Sequence, residues 1–318
     1  MKAKLVALDI DGTILDKSTG FTVPAAVRET VRDARKAGAR ICICSSRPCY
    51  MMEDATSALD GIDALAGCSG AVIEATSALD GADVLGGCSG AVIGATSELD
   101  GADVLGGCSG AVIEAVGAAA REGLVTIYAD SLASPLVRAS FETAKRLGLP
   151  LSFAGEKEIF VLKRGALDPS LANDPIFKIM EEEELLEILK KKPVSCSFIF
   201  LESGMSDELV TRASVLADAT VNHAGHNCLV ITNKGTDKGT GVLHLAEYWR
   251  IPREAILAVG NDENDVPMLK AAGVGVAVAN ACPETLAAAD WVAPDVLHAG
   301  AAEAIRRYAL LQAFDCFP

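Results

Sequence analysis

The chain reads as an α/β protein, a core built on a parallel sheet and interrupted by a second, α+β domain. Three observations predict this. Short apolar runs at residues 5–8, 39–44, 255–259 and 271–278 are continuous, as strands covered on both faces must be. A helical stretch separates the first two runs, so the chain opens strand, helix, strand, the pattern of a right-handed parallel unit. From residue 117 to 224 the regular alternation is lost and strands mix with helices, which marks an inserted domain. The expected division is therefore 1–116 with 225–318 as the core and 117–224 as the insertion.

The bounds agree. A chain of 318 residues, half of them hydrophobic, is long enough for two domains with real cores. A net charge of −15 makes nucleic acid and anionic membranes poor partners. An anionic substrate would need local Lys, Arg or a bound metal. The opening MKAKLVALDIDGT lacks the apolar core of a signal peptide, and no apolar run has the length of a membrane-spanning helix. The ten cysteines include Cys42, Cys44 and Cys196 in apolar strand-like runs and form no CxxC, which predicts reduced thiols in a cytoplasmic protein.

The first strand ends in Asp9-Ile10-Asp11-Gly12-Thr13. Carboxylates two residues apart leave a strand on one side, and Gly12 permits a sharp turn. Two like charges so close call for a shared cation or proton, and a divalent metal meets that need. One carboxylate could then attack while the other moves protons. Residues 23–37 read as a helix, with Pro24 in its first turn and Val27, Val31 and Ala34 at helical spacing, closed by Gly38. The second strand ends in Ser45-Ser46-Arg47-Pro48, where hydroxyls and free N–H groups at a helix start suit a phosphate oxyanion, or simply cap that helix.

Residues 55–114 are three tandem copies of a 20-residue segment, starting at Ala55, Ala75 and Ala95. Copies two and three differ only at Ala78/Glu98 and Gly94/Glu114. Each copy reads as a helix end, a Leu-Asp-Gly turn and a strand bent at Gly-Cys-Ser-Gly. The expectation is that one copy fills one slot of the sheet and the other 40 residues are an excursion or an extra strand. Steps of 20 present almost the same side chains to the core, so the sequence leaves open which copy it is.

In the insertion, residues 124–128 are strand-like, 131–147 helical, 151–154 and 158–163 paired short strands, 174–192 helical with an acidic face at 181–184, 194–202 a strand and 205–217 a helix. Residues 219–223 and 228–232 form a hairpin around Ala224-Gly225-His226-Asn227. His223 and His226 there read as solvated turn histidines rather than a metal site, which needs four ligands. His244 and His298 have no partner in sequence.

The core resumes with Thr236-Asp237-Lys238-Gly239-Thr240 at the mouth of a helix, where Lys238 can meet an anion. After the strand at 255–259 come Gly260-Asn261-Asp262-Glu263-Asn264-Asp265. Five polar or acidic residues between a buried strand and a helix are hard to explain as packing, and oxygen ligands of this kind suit Mg²⁺. Residues 271–278 form the next strand, with Asn280 and Ala281 just beyond it. Trp291 and Val292 mark a last strand and residues 299–313 a closing helix.

The chemistry-bearing residues thus come from separate strand ends and one helix start, which a single parallel sheet brings to one edge. In this order, DIDGT, Ser45 in CSSR, Lys238 in DKG and GNDEND, the set resembles the haloacid dehalogenase-like (HAD) superfamily, and more narrowly its Cof-type sugar-phosphatase branch with a C2B cap. The resemblance covers nearly the whole chain and implies a Rossmann-like HAD core. It also implies a Mg²⁺-dependent phosphomonoester hydrolase acting on a small phosphorylated metabolite, most simply a sugar phosphate. Asp9 would be the nucleophile, Asp11 the acid and base, and Ser45 and Lys238 the holders of the phosphoryl oxygens. Gly12, Ser46, Arg47 and Asn264 would border the substrate. Mg²⁺ would be held by Asp9, the Asp11 carbonyl and the Asn261–Asp265 loop, with Asp265 in support. Two departures stand out. Asn261 occupies a position where the family usually has Asp, which predicts weaker metal binding, with Asp262 able to compensate if the loop shifts. Three copies stand where the family has one, so Ser69, Ser89 and Ser109 compete for one place beside the site. A phosphosugar mutase and a catalytically weak binding or scaffold protein are the alternatives.

Overall fold

The computed structural model describes residues 2–16, 18, 22–59, 61–76, 124–163, 174–201, 218–225 and 227–310. The core strands and helices are β1 (Leu5–Leu8), α1 (Ala25–Lys36), β2 (Arg40–Cys44), β3 (Ala64–Gly67), β4 (Val72–Thr76) and β5 (Leu124–Ala129). The second domain adds α2 (Ser134–Leu147), β6 (Leu151–Ala154), β7 (Ile159–Leu162), β8 (Phe177–Met180), α3 (Glu182–Leu189), β9 (Cys196–Phe200), β10 (Ala219–His223) and β11 (Cys228–Asn233). The chain then returns through α4 (Lys238–Tyr248), β12 (Ile256–Gly260), α5 (Val266–Ala271), β13 (Val274–Val278), β14 (Trp291–Ala293) and α6 (Gly300–Ile305).

The core sheet runs β14-β13-β12-β1-β2-β3-β4-β5, parallel from β14 through β3 and antiparallel at β4 and β5. Its continuous apolar strands are covered on both sides. Val6, Leu8, Ile41 and Ile43 pack toward Val27 and Val31 of α1 and Ile305 of α6. Leu5, Ala7, Cys42 and Ala258 pack toward Val242 and Leu245 of α4 and Met268 of α5. Alternate residues feed alternate faces, which is why these strands show no polar alternation.

Helix α1 is the amphipathic element its spacing predicts, burying Val27, Thr30, Val31 and Ala34. Copy one of the repeat fills the slot in the sheet as β3, the Cys68–Gly70 turn and β4. Of the other two copies only Ala75 and Thr76, at the end of β4, lie within the described residues. The helix expected at 205–217 and His226 also lie outside them.

Two expectations are corrected. Residues 174–192 are not one helix, because 177–180 form β8, paired in parallel with β7. That pairing gives Phe177–Met180 hydrogen-bond partners along one edge of β7, which a local sequence pattern does not record. The acidic run is instead the first turn of α3, where Glu182, Glu183 and Glu184 face the positive end of the helix dipole. The domain crossings are displaced as well. Strand β5 belongs to the core sheet and β11 to the second sheet, so the chain crosses near 130 and 234 rather than at 117 and 224. Asp130 ties the crossings together, accepting from Asn233 Nδ2 at 2.7 Å and Thr236 Oγ1 at 2.6 Å.

The second sheet runs β10-β11-β9-β6-β7-β8 around its own core of Phe153, Phe160, Leu162, Leu185 and Ile231. It meets the core domain through Ala154, Cys196, Phe198, Cys228 and Val230, packed on Cys68 and Ala71. The copy-one turn therefore lies directly under the inserted domain.

Candidate active site

Strand register sets the site. Leu8 pairs with Ile43 on one side and Val259 on the other, so β1, β2 and β12 end level. The next residues, Asp9, Ser45 and the loop from Asn261, meet at that edge. Lys238 opens α4 from the side, oriented by a capping box in which Asp237 accepts from Thr240 N and Thr240 Oγ1 accepts from Asp237 N.

At the centre is a buried triad. Lys238 Nζ donates to Asp9 Oδ1 at 2.7 Å and to Asp265 Oδ1 at 2.5 Å, and all three side chains are 6 % exposed or less. Burial and the Asp265 carboxylate push Asp9 up to about 7, while Lys238 pulls the other way. Burial opposes the Lys238 ammonium, but Asp265 and Asp9 outweigh it and hold it above the usual lysine value. With Asp9 ionised, two carboxylates around one ammonium leave one negative charge, a setting that attracts a further cation.

The second Asp265 oxygen accepts from the N–H groups of Asn261 at 2.8 Å and Asp262 at 3.0 Å. Asp265 thus shapes the loop and positions Lys238, with both of its oxygens engaged. Asp262 also has both oxygens engaged, with Glu263 N at 2.9 Å and, across the domain junction, with Gly225 N at 2.9 Å. In this arrangement the Asp262 carboxylate is turned to the inserted domain rather than to Asp9.

Asn261 stands at the heart of the loop. One atom of its amide lies 3.0 Å from Asp9 Oδ2, 2.9 Å from the Asp11 carbonyl and 2.8 Å from Thr13 Oγ1. A carboxylate and a carbonyl only accept, so that atom is Nδ2. Gly12 makes room for the amide, since it adopts φ +86° and any Cβ there would strike Asn261.

Around this centre, Ser45 Oγ accepts from Arg47 N at 3.2 Å, and Ser45 is buried. Asn264 Nδ2 donates to Ser46 Oγ at 2.7 Å, and Ser69 Oγ lies 3.3 Å from the same oxygen. Among the described residues Asn264 Oδ1 is buried with no partner, an acceptor beside the site. Arg47 reaches back to Asp11 through Nε to Oδ2 at 2.9 Å and Nη2 to Oδ1 at 2.5 Å.

Sequence reasoning did not place Ser69 or Asn280. Ser69 is copy one's contribution, in the left-handed region at φ 54°. Asn280 donates to the Gly12 carbonyl at 2.8 Å and accepts from Val296 N, fixing the turn after Asp9. Its position just past β13 was the available signal. His244 stacks on Tyr128 with ring centroids 4.3 Å apart, and His298 meets Asp295 at 2.7 Å, so both have partners away from this edge.

The residues fit a hard divalent cation. Asp9 Oδ2 and the Asp11 carbonyl lie 3.0 and 2.9 Å from one atom of the Asn261 amide, and with Asp9 ionised the triad beside them is one charge negative. Among the described residues no group of three or more His, Cys, Asp or Glu forms a metal cluster. The donor set here includes a main-chain carbonyl and an amide, which such a cluster does not.

The chain belongs to the haloacid dehalogenase-like hydrolases, whose family profile matches residues 6–80 and 96–305. The solved structures it resembles include the subclass IIB sugar phosphatase BT4131 (TM-score 0.73, 20 % identity, 96 % of this chain and 99 % of that one). Another is the HAD phosphatase BT1666 from Bacteroides thetaiotaomicron (TM-score 0.70, 21 % identity, 97 % and 96 %). The fold is accordingly a Rossmann-like HAD core with an inserted cap of the C2B type. A phosphoglycolate phosphatase from Methanoculleus marisnigri is 46 % identical over 74 residues, 23 % of this chain and 32 % of that protein. The chain thus spans about a third of that curated relative.

Proposed function

We propose that this protein is a Mg²⁺-dependent phosphomonoester hydrolase that works through a phosphorylated aspartate, on a small phosphorylated metabolite of the sugar-phosphate kind. The observation that carries the reading is the shared, buried Asp9–Lys238 pair at the strand edge, with Ser45 beside it. Support for the substrate class comes from the structural likeness to a sugar phosphatase and the partial match to a phosphoglycolate phosphatase.

In this reading an Asp9 oxygen attacks phosphorus and forms a P–O bond as the bond to the leaving oxygen breaks. Asp11 gives that oxygen a proton, then takes one from the water that cleaves the aspartyl-phosphate. Lys238 and Ser45 hold the phosphoryl oxygens, and Asn264 and Ser46 hold each other at the rim. Asp9, the Asp11 carbonyl and Asn261 would hold Mg²⁺, whose charge offsets that of the phosphoryl group. The cap, pinned by Gly225 to Asp262 and by Tyr50 Oη to the Glu158 carbonyl at 2.9 Å, would exclude water and select the leaving group. No helix among the described residues is long and apolar enough to cross a membrane, and among them Cys42, Cys44, Cys49, Cys68, Cys196, Cys228 and Cys282 form no disulfide. Both suit a cytoplasmic setting.

Phosphate release from p-nitrophenyl phosphate tests the reading. Release should require MgCl₂ and vanish in a folded Asp9→Asn variant. Absence of Mg²⁺-dependent release from that substrate and from a panel of sugar phosphates would leave the scaffold alternative standing.

A further inference from the structure

The Asn261 amide lies where the three oxygens meet. Its Nδ2 carries two hydrogens, which reach Asp9 Oδ2 at 3.0 Å and the Asp11 carbonyl at 2.9 Å, and Thr13 Oγ1 lies 2.8 Å from the same nitrogen. An end-for-end rotation of the amide would put Oδ1 in the same place. Thr13 does not oppose that rotation, because its hydroxyl can donate to Oδ1 at 2.8 Å. Ionised Asp9 Oδ2 and the Asp11 carbonyl oppose it, because an amide oxygen facing them leaves both of these acceptors without a donor from Asn261. They tolerate that orientation only when something positive stands between them. With Asp9 ionised, Asp9 Oδ2 and the Asp11 carbonyl can therefore be satisfied in two ways, by the NH₂ group or by a cation.

We infer that Asn261 is a built-in substitute for the metal ion, its amide nitrogen holding Asp9 and the Asp11 backbone together in the metal-free protein and rotating to present oxygen when a divalent cation enters. Two consequences follow. The metal-free protein keeps its pocket satisfied, so it does not depend on Mg²⁺ for order at the site. Cation binding is weakened, because it must displace two hydrogen bonds and gains a neutral ligand instead of a charged one. An Asp at 261 would reverse both, having no proton to donate to Asp9 at neutral pH and a full charge to offer the metal.

The inference rests on the phosphatase reading only for the identity of the cation, and its test reads binding rather than turnover. Thermal unfolding in EDTA and calorimetric titration with MgCl₂ compare the wild type with Asn261→Asp. The variant should unfold at a lower temperature than the wild type in EDTA, gain more from Mg²⁺, and bind it at least about tenfold more tightly. Equal stability in EDTA together with equal Mg²⁺ affinity would overturn the inference. If the variant does not fold, the wild-type Asn261 side-chain NH₂ resonances decide. In EDTA they should be shifted and protected by two charged or polar acceptors, and saturating MgCl₂ should move them. Resonances that exchange freely in EDTA and stay fixed on titration would overturn it. A wild type without phosphatase activity but with this Mg²⁺ response would refute the functional reading and leave the inference intact.

Discussion

Arg47 grips Asp11 in a two-pronged contact, Nε to Oδ2 at 2.9 Å and Nη2 to Oδ1 at 2.5 Å, between residues 36 positions apart at the ends of adjacent strands. The guanidinium fork matches a carboxylate and a phosphate equally well, so an arriving phosphoryl group competes for it. Arg47→Lys keeps the charge and loses the fork. It should lower kcat/KM on an aryl phosphate roughly tenfold while the melting temperature stays within about a degree, since Asp11 is half exposed and such pairs contribute little to stability. An unchanged kcat/KM would reduce the contact to an ordinary surface ion pair.

Asp9 makes stability depend on pH in a definite direction. Its folded-state value of about 7 lies above the ordinary 3.8, so between those limits the folded protein holds a proton that the unfolded chain has lost. Stability from this group is present below pH 3.8 and declines as pH rises through 7. Asp9→Asn cannot titrate. In EDTA, the variant should therefore gain stability relative to the wild type as pH is raised from 4 to 7.5, measured by urea unfolding at each pH. A difference independent of pH would place Asp9 at its ordinary value.

Gly70 sits at φ +90°, and a Cβ there would strike the Asp237 carbonyl at the start of α4. Gly241 approaches from the same side, so neither backbone can give way. Gly70→Ala should cost about 2 kcal/mol or more in denaturant unfolding. It should lower activity as well, because Asp237 is the cap that orients Lys238. A neutral substitution would mean that the copy-one turn and α4 can part without consequence.

The repeat makes a prediction of its own. Deleting residues 75–114 joins Glu74 to Ala115 and Val116. Ala115 then takes the place of buried Ala75, and Val116 that of Thr76, whose Oγ1 is buried without a partner. Val has the shape of Thr without the orphaned hydroxyl, so β4 should re-form at little cost or a gain of about 1 kcal/mol. The shortened chain should fold, with a melting temperature equal to or above the parent's, and keep the parent's activity. An insoluble or unfolded product would show that copies two and three support the sheet. Limited proteolysis of the parent read by mass offers a second check, with copy one protected and cuts falling in the later copies.

Much of the site was legible in the chain because its parts are local. Asp9 and Asp11 follow a buried strand, Ser45 follows the next, Lys238 opens a helix, and the polar run from Asn261 interrupts an apolar one. Continuous apolar strands implied a sheet covered on both faces, and that sheet's parallel register is what levels the strand ends. Failures came where the outcome depended on a partner from elsewhere. Residues 177–180 turned to strand because β7 offered an edge, and β5 joined the core because β4 did.

By itself the sequence determined which chemical groups the site holds and that one sheet edge gathers them, since spacing and apolar continuity are properties of short segments. Only the tertiary structure decided what each group faces: Asp262 the cap, Asp265 the ammonium, Arg47 the carboxylate of Asp11, the Asn261 amide the oxygens of Asp9 and Asp11. It also decided that copy one forms β3 and β4, a choice that three closely similar segments leave open in the sequence. Orientation of a polar side chain is settled by donors and acceptors contributed from distant parts of the chain, and no local pattern records them.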